Sequence, residues 1–417
     1  MPAATAQRRI ARLASLTAVH RAFYWLHLHQ PQLRKWQLEL VRIPAPPFHE
    51  QARAAWFLER FQDLGLTNLH IDDEGNALAE IQPEAHTPHP HLLISAHLDT
   101  VFAPGIPCEP IEDPDTPRIF APGICDNAAG LTALLAIAAA LRYAQITPPI
   151  PLLFAANVGE EGEGDLRGMR HLFSRGPYHG RIATAFALEG GGTNTVVTRG
   201  LGSRRLRITF TGPGGHSWTD AGTPNPILIL SRALTDIAHL RLPTTPRTTI
   251  NVGHISGGTS INSIPESASA LLDLRSTDPA QLASTELEVR RLLDATLHTA
   301  TREATRQRPA CPAPKLEIVV VGNRPAGELP HDSPLLHTLR AVDRHLTLRT
   351  EPRIGSTDAN IPLALGIPAL ALGAGGTGGG IHTLQEWFDP TGRETALRRI
   401  LLTLLDTAQL IAESTTL

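Results

Sequence analysis

Two kinds of hydrophobic pattern alternate along the chain: short unbroken apolar runs and long stretches with helical spacing. The run HLLISA, 91–96, predicts a buried parallel strand that delivers His97 and Asp99 at its carboxyl end. A loop follows and ends at Cys125-Asp126-Asn127, where Asp126 or Asn127 caps an apolar, Ala-rich helix, AAGLTALLAIAAALRYA. The next run, 151–157, predicts a second buried strand that ends in Gly159-Glu160-Glu161-Gly162, with a helix starting near Gly168. ATAFALEGGG predicts a third strand, ending in Glu189. Upstream, 5–43 reads as helical with a break at Pro31, and 49–65 as a helix after Pro44-Ala45-Pro46-Pro47. Strands are expected at 67–72 and 76–81.

The pattern changes near residue 201. RRLRITFTG alternates as a half-buried strand, PNPILILSRALTDIAHL is helical, and TTINVGHISGG and ASALLDLRS are strands. A long amphipathic helix, PAQLASTELEVRRLLDATLHTATREAT, precedes a last strand, KLEIVVVG. The order β-α-β-β-α-β is that of a ferredoxin-like unit. After Arg324 the α/β pattern resumes with the helix SPLLHTLRAVDRHL, the turn Gly355-Ser356-Thr357-Asp358 and the strand PALALGA. A glycine-rich loop then reaches His382, and GRETALRRILLTLLDTAQLIAES closes the chain as a helix. The expected architecture is therefore an α/β mixed sheet flanked by helices, carried by 1–200 and 326–417, with a ferredoxin-like domain inserted at 201–325.

Composition narrows the functions. At 417 residues with 42% hydrophobic and 18% charged residues, the chain can bury sizeable cores. A net charge of -3 lacks the basic excess of a nucleic-acid binder. No stretch approaches about 20 uncharged apolar residues, so no membrane span is expected. Cys108, Cys125 and Cys311 form neither a disulfide framework nor a metal-ligand spacing, and a cytoplasmic setting is the natural inference.

The candidate chemistry collects at strand ends and loops: His97, Asp99, Asp126, Glu160, Glu161, Glu189 and His382. Two imidazoles and several carboxylates suit a pair of divalent, zinc-like ions. Two-metal hydrolases hold their ions roughly 3.5–4 Å apart, and a shared carboxylate does this well. Asp126, short and at a helix N-terminus, is the natural bridge. Two adjacent glutamates at a strand end would repel without a cation beside them, although standing alone they would read as a solvated acidic turn.

Three further features invite function and are better read as structure. His20, His27 and His29 lie among Gln, Arg and Trp with no carboxylate in phase, and read as solvated or packing residues. Gly373-Ala374-Gly375-Gly376-Thr377-Gly378 fits a dinucleotide fingerprint, yet no helix follows it. Cys125 has no local histidine to activate it and reads as a small buried neighbour of Asp126.

The ordered runs SAHLDTVF, GICDNAAG, GEEG, ALEG and IHTLQEW resemble the family of co-catalytic zinc peptidases and amidohydrolases. That family includes tripeptide aminopeptidase, glutamate carboxypeptidase, acetylornithine deacetylase and succinyl-diaminopimelate desuccinylase. The resemblance implies a zinc-exopeptidase-type fold and two Zn2+ per subunit, with Co2+ or Mn2+ as substitutes. It places His97 and Glu189 on one ion, Glu161 and His382 on the other, and Asp126 between them. Asp99 would orient His97, and Glu160 would be the general base that passes a proton from the attacking water to the leaving amine. In the inserted domain it implies that His216, from the partner subunit, helps hold the oxyanion, and that Asn262 and Arg275 bind a substrate carboxylate.

These expectations describe a homodimer, joined through its inserted domains, that hydrolyses a peptide or N-acyl amide bond of a small peptide or N-acyl amino acid. Amino-, carboxypeptidase and deacylase remain alternatives within that class. The TVFAPG and GSTDAN runs lean toward the aminopeptidase-like branch. A metal-free binding homologue that kept the fold and lost catalysis is the alternative from outside it.

Overall fold

The computed structural model describes residues 3–84 and 90–415. The chain divides into two compact units, one formed by 1–200 with 328–417 and the other by 201–327.

In the larger unit, four parallel strands stand side by side in the order Leu152–Asn157, His91–His97, Ile182–Glu189 and Ala369–Gly373. All four are buried almost end to end, as unbroken apolar runs require when both faces of a sheet are covered. Ala77–Ile81 and then Thr67–Ile71 extend one side antiparallel, and Thr195–Gly200 extends the other. Parallel pairing has one consequence that matters here: the carboxyl ends of the four central strands share one edge of the sheet. The register is set so that His97 pairs with Asn157, and Ser95 with Ala187. Two residues further on, His97 and Glu189 reach the same level.

The crossover helix Ala128–Ala144 is apolar on every side, and only Arg142 and Tyr143 of its residues are not buried. A helix of that kind needs cover all round. The sheet lies on one side of it, and the helices Thr17–Leu28, Gln30–Val41 and Arg393–Thr415 pack on the rest. Alanine makes this possible, because small side chains let three layers approach closely. Asn127 is its N-cap. The side chain accepts the Gly130 N–H at 3.0 Å and donates to the Leu188 carbonyl at 2.8 Å. A cap of this type contributes about 1 kcal/mol, and here it also ties the helix start to the Glu189 strand.

The expected helix over 5–43 is three helices, Ala3–Ala14, Thr17–Leu28 and Gln30–Val41. Pro31 sits in the first turn of the third, where its missing N–H costs nothing. The break at Ser15-Leu16 follows no proline or glycine. It lets successive helices turn to cover the Ala-rich helix and the closing helix. His27 is exposed and pairs with Glu394, whereas His29 stacks on Trp25 while bonding its carbonyl, so the first is a solvated histidine and the second a packing one.

The smaller unit is a four-stranded antiparallel sheet in the order Thr248–Gly257, Ser267–Ser276, Gly202–Thr211, Lys315–Arg324. Helices Pro226–Ala238 and Pro279–Gln307 bury Leu206, Ile208, Phe210, Leu272 and Leu274 beneath them. Both helices begin with a side-chain cap followed by proline: Asn225 accepts from Ile227 and Leu228, and Asp278 from Ala280 and Gln281. Thr248–Gly257 is an edge strand, exposed over most of its length, with Val252 and Ile255 among its exposed residues.

Candidate metal centre and active site

At the shared strand edge the sequence-predicted residues converge. His97 Nε2 lies 3.1 Å from Asp126 Oδ1 and 3.7 Å from Glu189 Oε2. His382 Nε2 lies 3.2 Å from Asp126 Oδ2 and 3.0 Å from Glu161 Oε1. The two oxygens of Asp126 thus face different imidazoles, and each imidazole has its own glutamate. His97, Asp126 and Glu161 also present ligand atoms all within 4.8 Å of one another.

This donor set fits a pair of divalent cations. Hydrogen bonds to Asp126 and Glu161 push the His382 imidazole up to about 10. Burial works to lower His97, yet its bonds to Asp126, Asp99 and Glu189 hold it well above the usual histidine range. Burial raises the Glu189 carboxyl. The cluster gathers negative charge that needs offsetting, and metal ions would supply it where imidazole protons otherwise do. His97 Nδ1 donates to the Asp99 backbone carbonyl at 3.0 Å, which turns Nε2 toward Asp126 and makes it the nitrogen that a metal would find.

Asp99 is fully buried, and its carboxylate has backbone partners besides the imidazole expected for it. It stands 3.6 Å from His97 Nδ1, whereas its oxygens accept the backbone N–H groups of Glu160 at 2.9 Å and Glu161 at 2.7 Å. The side chain therefore fixes the Gly159-Glu160-Glu161 turn, and its main chain orients the imidazole. That turn begins at Gly159, whose φ of +68° and close approach to Arg167 leave no room for a side chain. Of the two glutamates, Glu161 meets His382 and Glu160 lies beside it, buried at 6% exposure.

The smaller unit brings His216 and Asn262 together and sets Arg275 apart. Gly215–His216 pairs with Ser263–Ile264, and the Ser217 N–H donates to the Asn262 carbonyl at 3.0 Å. His216 is exposed, and its Nδ1 accepts the Trp218 N–H at 3.2 Å. Its Nε2 therefore carries the proton and is free to donate outward. Trp218 and Ile261 beside it are 84% and 104% exposed. Arg275 lies eight residues along its strand from Ser267, about 26 Å at the usual rise per residue, and its Nε donates to Asp273 at 2.7 Å.

Both sequence decoys resolve as structure. Cys125 is buried, its thiol pushed up to about 12 chiefly by burial, and its Sγ accepts the Gly191 N–H at 3.1 Å. A Cβ at Gly378 would stand 2.3 Å from that sulfur, so the glycine-rich loop is shaped by close packing. Thr377–Gly379 enters a small antiparallel sheet with Trp387–Asp389, so the element after the glycine-rich run is a strand and not a helix.

Three buried polar residues near the site escaped sequence reasoning. Arg53 donates to the Ile43 and Leu98 carbonyls, both at 2.7 Å, and so supports the chain between His97 and Asp99. Asp358, in the GSTDAN run, is pushed up to about 7 chiefly by burial and accepts Asn157 Nδ2 at 2.7 Å. Glu386 lies four residues past His382, inside the IHTLQEW run. An acid in a motif that already held a ligand was the available signal.

An open α/β sheet whose parallel strands end in facing sets of imidazoles and carboxylates has the layout of a metallohydrolase. Residues 93–408 match the profile of Peptidase family M20/M25/M40, and the chain belongs to that family. It is 29% identical over 260 residues to a probable carboxypeptidase of Aspergillus clavatus, an alignment that covers 57% of this chain and 56% of the relative. The match thus spans little more than half the length of that curated relative. The fold is that of a tripeptidase from Staphylococcus aureus, with a TM-score of 0.71 at 21% identity over 91% of this chain and 98% of the other. A dinuclear metal-binding peptidase of Bacillus subtilis also shares it, with a TM-score of 0.65 at 14% identity over 91% and 98%. Among the described residues no helix is long and apolar enough to cross a membrane.

Proposed function

We propose that this protein is a two-zinc hydrolase that cleaves a peptide or N-acyl amide bond in a small substrate. The observation that carries the reading is Asp126, whose two oxygens face His97 with Glu189 on one side and His382 with Glu161 on the other. Those five side chains would hold the ions, His97 and Glu189 on one, His382 and Glu161 on the other, Asp126 on both. When bound, the ions supply Lewis acidity for the scissile carbonyl and for the attacking water. Glu160 takes the proton from that water and returns it to the departing amine nitrogen as the C–N bond breaks. Asp99 keeps Glu160 and Glu161 in their separate roles by holding both of their backbone N–H groups.

A panel of di- and tripeptides and N-acyl amino acids, assayed with added zinc, cobalt or manganese, tests the reading. Metal-dependent release of an amine from at least one class is the expected result. Carefully purified protein that holds less than one equivalent of metal and cleaves none of them would instead favour a binding protein that lost catalysis. The Aspergillus relative favours a carboxypeptidase over the aminopeptidase-like lean of the TVFAPG and GSTDAN runs. Blocking the amino or the carboxyl end of a cleaved peptide separates the two.

We further infer a homodimer through the smaller unit, in which His216 of one copy serves the other copy's oxyanion, and in which Asn262 and Arg275, set apart within one copy, reach a substrate carboxylate from different copies. The exposed edge strand Thr248–Gly257 and the outward Nε2–H of His216 support this. Mixed dimers of His216→Ala and Glu160→Ala chains should regain about one working site per dimer from two nearly inactive parents. Mixed dimers with no gain over the parents would refute the shared site.

A further inference from the structure

We propose that Glu386 is a positioning residue of the metal centre: its buried carboxylate holds the backbone of the loop that ends in Asp126 and couples that loop to the one carrying His382. This rests on the two-metal reading above and extends it to a residue that is not itself a ligand. Glu386 has no exposed surface. Its Oε2 accepts the Gly123 N–H at 2.9 Å, and its Oε1 accepts the N–H groups of Cys125 and Asp126, both at 2.8 Å. Its own carbonyl accepts the Ala121 N–H at 3.0 Å. The next residues, Trp387 and Phe388, pair with Phe120 and Ile119. The chain around Glu386 is therefore anchored by main-chain pairing, and its side chain reaches from that anchor to the bridge residue.

Three of the six residues from Ala121 to Asp126 give their amide hydrogens to one carboxylate. A carboxylate that accepts several N–H groups makes short, charge-assisted bonds, and buried amides left without them are costly. One of the three bonds goes to the Asp126 amide itself. Any shift there moves a side chain whose two oxygens must meet His97 at 3.1 Å and His382 at 3.2 Å together. His382 lies four residues before Glu386, so one side chain sets the spacing between two ligand-bearing loops. Residues that orient ligands in this way change metal affinity by 10- to 100-fold when lost.

The test is Glu386→Gln, read by chelator competition for zinc and by the visible absorption of the cobalt-loaded protein. The amide keeps one acceptor oxygen but turns an NH2 toward a backbone N–H, so two donors oppose each other. Affinity should fall about 10- to 100-fold for both ions, because the residue displaced is the shared one. The cobalt band should shift, which general loosening of the fold would not produce. Glu80→Gln is the control. Glu80 is 3% exposed and accepts the Tyr178 hydroxyl, but it sits level with Leu93, four residues from His97, toward the opposite end of the sheet. That variant should lose thermal stability and keep both metal affinity and cobalt band.

Unchanged affinity and an unchanged band in Glu386→Gln would overturn the proposal, as would the same band shift in Glu80→Gln. If Glu386→Gln does not fold, Glu386→Asp carries the test. Its carboxylate keeps the charge but stops one methylene short, so weakened affinity supports the proposal and wild-type affinity overturns it. Wild-type protein that binds no metal would refute the underlying two-metal reading, an outcome distinct from failure of the Glu386 assignment.

Discussion

Asp126→Ala should empty both metal positions at once, whereas His382→Ala should weaken mainly one. The asymmetry comes from the geometry. Among the described residues Asp126 is the one side chain placed against both imidazoles, and its removal leaves His97 with Glu189 and His382 with Glu161 as two incomplete pairs. Zinc sites with a single imidazole and a single carboxylate fall short of the three or four protein ligands such ions require. His382 is a different case. Its side chain is 52% exposed, and water can replace it while Glu161 and Asp126 stay in place. Metal content after dialysis, with activity in the substrate panel, checks both variants. Equal loss of both ions in the two variants would contradict the bridging role.

Glu160→Gln should leave metal content nearly intact and lower turnover by a factor of roughly 10² to 10⁴, the range for loss of a positioned general base. At about 1.4 kcal/mol per tenfold, that is about 3 kcal/mol or more of transition-state stabilisation. Glutamine preserves the size of the side chain, and the Glu160 N–H bond to Asp99 does not depend on it. The fold of the turn is therefore preserved while the proton acceptor is lost. The neighbouring Glu161→Gln should do the reverse and lose metal first, because Glu161 is the member of the pair that meets His382. If Glu160→Gln loses metal and keeps residual turnover, the two roles are exchanged. The same pair of measurements on one turn thus separates a ligand from a base.

Much of this centre could be read along the chain because its parts are local. Three segments of the proposed centre are apolar runs followed within a few residues by polar ones, so His97, Glu160, Glu161 and Glu189 announce themselves as strand-end residues. Asn127 announces the helix that follows Asp126 by the same local logic of capping. The inserted unit was equally legible, since alternation along RRLRITFTG and ASALLDLRS needs no knowledge of their neighbours. Short elements were harder. Thr195–Gly200 and Glu351–Gly355 are half-exposed strands whose residues show no clean period, and they form because they find each other across the chain.

By itself, then, the sequence determined which side chains are available for metal chemistry and at which ends of which strands they stand. Periodicity and capping depend on neighbours a few residues away, and those neighbours are present in the sequence. The tertiary structure alone decided the strand order that puts the His97 strand between the other two, and the register that brings His97 level with Glu189. It also decided that the Asp99 carboxylate serves the backbone of Glu160 and Glu161, and that Glu386 reaches back about 260 residues to the amide of Asp126. The physical reason is that buried backbone N–H groups must find acceptors wherever the packed chain offers them. No period along the sequence records which distant carboxylate will lie within 3 Å.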